Sequence, residues 1–305
     1  MSKHVLVLGG SYFAGRVFSM VAARNAGFSL TLVNRGTYSM THLPNTREYA
    51  CDRHDAVALQ SLPAEHYNAV IDFCAYTPGD VKTVFEHLNG TFDHYILLST
   101  ADVYDRSIRT PKDETAPLQT CQSSCTAGEY MFHKMLLEGE TRQCCESRGT
   151  PWTILRPAFI YGPYNYAPRE AYFIKNIVKK EPIPVPVDSN SQFQFVYVKD
   201  VAEALIACVD NPVSHGKAYT PCAPEVLTYS SYLETLCQVS DIPFQTDPVT
   251  VAQVIRNNIP LPFPLLDHEN ELFIGSKIAD ELGLCYTPFR DGMQKTYNAF
   301  KAVFS

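Results

Sequence analysis

No stretch of this chain approaches the roughly 20 apolar residues that a membrane-crossing helix needs. It contains no internal repeat and no low-complexity tract. It also lacks an excess of basic charge. Lys and Arg number 25 against 32 Asp and Glu, a net charge of −7, which argues against a general electrostatic footprint for nucleic acid. The first apolar run, His4 to Leu8, is short and leads straight into glycines, so no secretory leader is expected and the expected compartment is the cytoplasm. Metal-ligand spacing is missing too. There are ten cysteines, but neither the spaced pair Cys121 and Cys125 nor the adjacent pair Cys144 and Cys145 comes with the further Cys or His a zinc site requires. They are read as reduced, mostly buried thiols, and no metal is expected.

What the chain does have is enough apolar content for a substantial core. At 305 residues, 46% apolar and 19% charged, it can form one large α/β domain, or one domain with a smaller lobe. The rest is organised around its first thirty-odd residues. The strand-like run ending Val5-Leu6-Val7-Leu8 is followed by Gly9-Gly10-Ser11-Tyr12-Phe13-Ala14-Gly15, then by a segment with Val17, Met20 and Val21 at helical spacing. Gly27 stands where that helix would end, and Leu30 to Val33 reads as a second buried strand. This is a βαβ unit with glycines at its first turn, the usual place to hold a dinucleotide pyrophosphate on a helix N-terminus. Gly9 suits the tight turn and Gly15 the close packing of helix on strand. Tyr12 stands where the phosphates would approach the backbone most closely, so its side chain must point away or the cofactor must sit slightly differently.

The end of the second strand bears on the cofactor. An acid there would bond the ribose 2′-hydroxyl of NAD; this chain has Asn34-Arg35-Gly36. Arg35 could pair with the 2′-phosphate of NADP, and Asn34 could bond a ribose hydroxyl, so NAD and NADP both stay open.

Strand-like and helix-like pieces alternate through the first half, which indicates a parallel sheet with crossover helices. Strands are expected at Tyr49–Cys51, Ala69–Phe73, Tyr95–Ser99 and Trp152–Leu155, with helices at Val81–Leu88 and Ala127–Cys145. Composition shifts near Tyr161 to a stretch rich in Pro, Tyr and Asn, with one helical piece at Ala171–Lys180. Phe195 to Val198 returns to strand character, and Asp200 is placed to cap a following helix, Val201–Val209. The expected fold class is a Rossmann-type doubly wound α/β sheet. Residues 1–160 and 196–212 would form the nucleotide-binding domain, and 161–195 with 213–305 a substrate lobe.

Tyr130 and Lys134 stand four apart, on one face if helical. A free Tyr titrates near 10 and is a poor base at neutral pH, but an adjacent ammonium favours its phenolate. Such a pair suits moving a proton on a hydroxyl while hydride moves on its carbon. Ser99-Thr100 closes an expected strand, at the sheet edge where open α/β sheets bind ligands. His133 is expected to face elsewhere on the helix. Tyr161, Tyr164, Tyr166 and Tyr172 suit either a pocket lining or lobe packing, and Arg169 and Lys175 either an anionic substrate or solvent.

Together these features resemble the extended short-chain dehydrogenase/reductase family, in its NAD-dependent epimerase/dehydratase branch. The resemblance rests on the glycine turn, Leu98 to Tyr104, the Tyr130/Lys134 pair, Leu155-Arg156-Pro157, Tyr161-Gly162-Pro163, Phe195 to Ala202 and Glu281 to Leu284. It implies that Thr100 orients the substrate hydroxyl, Tyr130 is the acid/base, and Lys134 holds the nicotinamide ribose and tunes Tyr130. It implies cofactor contacts from Gly9, Ser11, Tyr12, Phe13, Ala14 and Gly15, and from Asn34 and Arg35. Asp52 and Arg53 would lie by the adenine, Phe73, Ala75 and Tyr76 along the middle, and Pro157 near the nicotinamide. It implies a homodimer through the helices at 81–88 and 127–145.

Three departures qualify it. Tyr12 replaces the central glycine. Ala101 replaces the acid that family dehydratases carry after the Thr. Phe193 stands where sugar-nucleotide epimerases carry an arginine for the diphosphate. The glycine turn, Asn34-Arg35-Gly36 and Gln192 to Phe195 also look like a branch that includes chloroplast stem-loop RNA-binding proteins. The expected function is an NAD(P)-dependent epimerase acting on a sugar or sugar nucleotide, with no membrane or nucleic-acid partner. The alternatives are an NADPH-dependent carbonyl reductase, or a non-catalytic nucleotide- or RNA-binding member.

Overall fold

The computed structural model describes residues 2–123, 127–243 and 245–305. Cys125 lies outside the described residues, and the other nine cysteines are free thiols.

A seven-stranded sheet forms the centre. From one edge its strands are Lys217–Tyr219, Trp152–Leu155, Tyr95–Leu98, Ala69–Asp72, Lys3–Leu8, Phe28–Asn34 and Thr46–Ala50. Each neighbouring pair is parallel. The chain therefore starts in the middle, winds to one edge, returns, and winds to the other. Strand order reverses between Lys3–Leu8 and Ala69–Asp72, which pair Val5 with Ala69 and Leu8 with Asp72. At such a switch point the crossovers leave in opposite directions and open a crevice at the carboxyl ends of the strands.

Both sheet faces are covered, so the central strands are buried throughout; Val5 to Leu8 and Ala69 to Ile71 are fully inaccessible. Helices Phe13–Ala23 and Val198–Cys208 pack on each other over one face, and Asp80–His87 and Gly128–Arg148 over the other. The last of these buries Met131, Lys134, Leu137, Glu138, Thr141 and Cys145. That spacing of three and four marks one helical stripe, and it carries a Lys and a Glu inward. Glu140 of the same helix accepts the Gly79 and Lys82 amides at 2.7 and 2.6 Å, capping Asp80–His87, whose own N-cap is a glycine.

The smaller lobe holds two parallel strand pairs, Phe159–Tyr161 with Phe195–Tyr197 and Ile183–Pro186 with Thr246–Val249. Its centre is aromatic: Phe193, Phe195, Tyr232 and Phe263 lie within 6 Å ring-to-ring contacts of one another's neighbours.

Lys217–Tyr219, expected by sequence to belong to the lobe, is the edge strand of the main sheet, and among the described residues Phe195–Tyr197 pairs with Phe159–Tyr161 in a separate two-stranded sheet. Three-residue strands carry too little periodicity to be assigned to a sheet from sequence. Asp200 does not cap its helix, which begins at Val198. It accepts the Thr287 amide at 2.8 Å and hydroxyl at 2.6 Å, tying on the C-terminal segment.

Candidate active site

A pocket of about 690 Å³ opens at the carboxyl ends of the central strands, between sheet and lobe. Its floor begins at the glycine turn, where Gly9 adopts φ +84°, a conformation that costs glycine little. A Cβ on Gly15 would lie 2.2 Å from the Gly9 carbonyl oxygen, so only glycine lets the first helix sit this close. Ser19 fixes the contact by donating to the Gly10 and Gly15 carbonyls, each at 2.9 Å. The helix has no side-chain cap and no acid in its first turn. Its leading amides therefore face the pocket end with the positive end of the helix dipole, a site for an anion.

Tyr12 is 48% exposed and lines the pocket. It stacks between Tyr38 (5.7 Å, 14°) and Tyr166 (5.1 Å, 25°), and Tyr166 meets the edge of Phe13. The stack joins three chain segments across the mouth of the pocket.

At the far end of the first two strands, Asn34 and Arg35 both line the pocket. The Asn34 amide is already engaged: Nδ2 donates to Glu48 at 2.9 Å and Oδ1 accepts the Gly36 amide at 2.8 Å. That satisfaction comes from the adjacent strand and leaves Arg35 as the exposed polar group there. Arg53 lines the pocket but is an internal cation. Its Nη1 meets both Asp72 oxygens at 2.6 and 2.8 Å, and Nη2 donates to the Asp80 carbonyl. Asp52 bonds the His54 ring and amide, each at 3.0 Å.

Tyr130, Lys134 and Thr100 meet in the middle of the pocket with Phe73, Tyr76 and Pro157. Lys134 is almost wholly buried and donates to the Ala75 and Leu98 carbonyls at 2.9 and 2.7 Å. An ammonium has three N–H groups, so one remains for a ligand. Burial pushes Lys134 down to about 8, against the pull of Asp72. Ala75 contributes this carbonyl and does not itself line the pocket. The Tyr130 ring is 40% exposed and lies 6.4 Å from the Tyr76 ring. Its phenol is pushed well up, by burial first and then by Asp102, Tyr76 and Tyr166, while Arg169 pulls it down. The phenol thus stands above its ordinary value, not below it as an adjacent ammonium was expected to place it. Thr100 caps a short 3₁₀ turn, accepting the Asp102 amide at 3.2 Å and donating to its carboxylate at 3.1 Å.

Sequence reasoning missed the support beneath this trio. Glu138, one turn beyond Lys134, takes the Arg156 fork at 2.9 and 2.7 Å and the Ser99 hydroxyl at 2.7 Å. Arg156 also donates to the Tyr104 hydroxyl. This clamps the Tyr130 helix to two strand ends. The signal was the Glu138 position on the Lys134 stripe. Of the four lobe tyrosines, Tyr166 lines the pocket and Tyr161 is buried in the lobe. Tyr164 lies under Arg16, 4.5 Å from its guanidinium carbon. Tyr172 packs on Phe173.

Residues 80–220 match the family model described as "NAD dependent epimerase/dehydratase family". The chain is 28% identical over 255 residues to chloroplast stem-loop binding protein of 41 kDa b of Arabidopsis thaliana, aligning 79% of this chain with 64% of that one. It is 27% identical to UDP-D-apiose/UDP-D-xylose synthase 2 of the same plant, over 49% of this chain and 46% of that one. The chain thus spans less than two thirds of the length of these curated relatives. UDP-glucose 4-epimerase of Thermotoga maritima, solved with UDP-glucose, superposes with a TM-score of 0.77 at 16% identity, covering 99% of this chain and all of that one. The Thermus thermophilus UDP-glucose 4-epimerase complex with NAD gives 0.74 at 19% identity, covering 98% of this chain and 99% of that one. At these identities the structural likeness is one of fold.

Proposed function

We propose that this chain, a member of the extended short-chain dehydrogenase/reductase family in its NAD-dependent epimerase/dehydratase branch, is an epimerase that binds NAD or NADP and acts on a sugar-like secondary alcohol. One observation carries the reading: a glycine turn with a close-packed helix, a half-exposed Tyr130 and a buried Lys134 with one N–H to spare share one pocket.

The first-turn amides of Phe13–Ala23 take the pyrophosphate. Lys134 gives its remaining N–H to the nicotinamide ribose, and Phe73, Tyr76 and Pro157 wall the middle. When bound, the nicotinamide supplies a two-electron acceptor that takes a hydride from the carbinol carbon and gives it back. Tyr130 would have to be ionised to receive the hydroxyl proton as that hydride leaves, and would return the proton on reduction, so acid and base roles alternate on one oxygen. The charge of the Lys134 ammonium would favour that phenolate against the upward push of burial. Thr100, held by Asp102, orients the same substrate oxygen. A hydride returned to the opposite face of the carbon would invert the centre with no net redox change. Tyr130→Phe is expected to keep its cofactor and lose about 10²–10⁴-fold in turnover; full activity in that variant would overturn the assignment.

Arg35 favours a second reading. It is exposed at the adenosine end with no acid closing the second strand, which suits the 2′-phosphate of NADP and a carbonyl reductase that exchanges its cofactor each cycle. Exchange of labelled NADPH into the protein during turnover supports the reductase, and retention of one dinucleotide through many turnovers supports the epimerase. A homodimer through Asp80–His87 and Gly128–Arg148 belongs to the same proposal. Leu136, 38% exposed on the second of these helices, is the position whose change to Glu is expected to yield a monomer in sedimentation.

A further inference from the structure

Charges at the lobe end of the pocket are almost all paired. Glu271 receives Lys112 Nζ at 3.3 Å and faces Arg106 Nε at 3.5 Å, and Arg106 Nη2 lies 3.5 Å from Asp102. Deeper in, Arg53 is committed to Asp72, and Lys134 to two carbonyls. Arg169 is the exception. It lines the pocket, lies over the Phe159 ring at 4.9 Å, and has one long contact, Nη1 to the Ile160 carbonyl at 3.5 Å. Among the described residues no carboxylate lies within ion-pair reach of it. The adjacent Glu170 is turned inward and takes the Gly162 amide at 3.0 Å and Asn165 Nδ2 at 2.9 Å.

A guanidinium laid on an aromatic face keeps its planar N–H edge free, and that edge matches the two oxygens of a carboxylate or phosphate. Arg169 also acts electrostatically on Tyr130, and both line the pocket. Of the other Lys and Arg side chains among the described residues that line the pocket, Arg53 is paired with Asp72, Lys134 is bonded to two carbonyls, and Arg35 stands at the end of the second strand. Phe193 is fully buried and stacks on Phe263 at 4.8 Å. Lys175 is exposed and does not line the pocket. The same 690 Å³ must also accommodate the dinucleotide, a volume within the range of about 300–1,000 Å³ that one ligand of moderate size fills.

We propose that Arg169 is the specificity-determining residue and receives a single anionic group, a carboxylate or a phosphate monoester, on a small polyhydroxylated substrate whose secondary alcohol reaches Tyr130. The substrate class is therefore a sugar acid or sugar monophosphate rather than a nucleoside diphosphate sugar. This inference rests on the proposed dinucleotide-dependent reading.

The test is calorimetric titration of the dinucleotide-loaded protein with four probes: glucuronate, glucose 6-phosphate, glucose and UDP-glucose. Glucuronate or glucose 6-phosphate is expected to bind more tightly than glucose and UDP-glucose, and which of the two wins distinguishes the carboxylate from the phosphate. Arg169→Met is expected to weaken the winning probe by about ten- to a hundredfold, the worth of a charge-assisted hydrogen bond. Arg169→Lys is expected to recover part of that loss, and both variants to keep their dinucleotide. Tightest binding by UDP-glucose, unchanged affinity in Arg169→Met, or no binding by either monoanion overturns the inference. A protein that takes up no dinucleotide contradicts instead the reading beneath it.

Discussion

Replacing Glu138 by Gln tests whether the catalytic helix is held by a buried charge clamp. Glu138 is fully buried and Arg156 is 3% exposed. Burial works against the Arg156 charge, and the hydrogen bonds and charge of Glu138 more than restore it, leaving its pKa above the ordinary arginine value. Arg142 adds a third contact to Glu138 at 3.1 Å from the partly exposed side. The amide of Gln can still accept from one arm of the fork, but the guanidinium then sits in the interior without a counter-charge. Breaking a buried pair in this way costs about 3–5 kcal/mol, a large share of the roughly 5–15 kcal/mol that holds a domain together. On a chain of 305 residues that lowers the melting temperature by roughly 5–8 °C, read by calorimetry or circular dichroism. The double variant Glu138→Leu with Arg156→Met removes both charges and replaces them with apolar volume, so it is expected to melt well above Glu138→Gln. A Glu138→Gln melt within a degree or two of the parent, or a double variant no better than the single, would refute the clamp.

Three further outcomes are expected. Lys134, pushed down to about 8 by burial, is fully an ammonium below that pH and loses its proton as pH rises through it. Turnover is therefore expected to fall along an alkaline limb near pH 8, and a profile flat well beyond it would mean that the charge is not needed. Gly15→Ala drives a Cβ to 2.2 Å from the Gly9 oxygen, which forces helix and turn apart at a cost of about 1–3 kcal/mol; dinucleotide binding by fluorescence titration is expected to be lost before the fold is. His94 is pushed down to about 3, by burial and then by the His215 ring 4.7 Å away. A folded pKa below the unfolded value means that its contribution is fully present above about 6.5 and is lost as pH falls towards 3, costing about 3 kcal/mol by pH 4. An acid-unfolding midpoint that does not move when His94 is changed to Gln would show that the imidazole pays no such penalty.

The legible parts of the site were those written in local spacing. The glycine turn, the Tyr130/Lys134 stripe and Thr100 at a strand end each follow from residues within one element, and the structure brings them into one pocket. Tyr12 was legible as the departure from glycine at the turn. Its stacking partners were not, because Tyr38 and Tyr166 reach it from separate loops. Asn34 read as a ribose ligand because its type fits, while Glu48, which satisfies it, comes from the neighbouring strand. Arg53, read as an adenine neighbour, lines the pocket, while its pairing with Asp72 is tertiary and was not legible. The upward shift of the Tyr130 phenol comes first from burial, which the Tyr130/Lys134 spacing does not report. The short edge strand Lys217–Tyr219 was lost for a related reason: its place in the sheet is set by pairing with Trp152–Leu155, not by its own pattern.

The most direct measurement is to denature freshly purified protein and identify the nucleotide it releases by mass spectrometry. Close to one NAD or NADP per chain is the expected result, with NAD(H) retained through turnover marking the epimerase. A protein that releases no dinucleotide, and takes up neither NAD nor NADP on titration, would contradict the assignment of this pocket as a nicotinamide site.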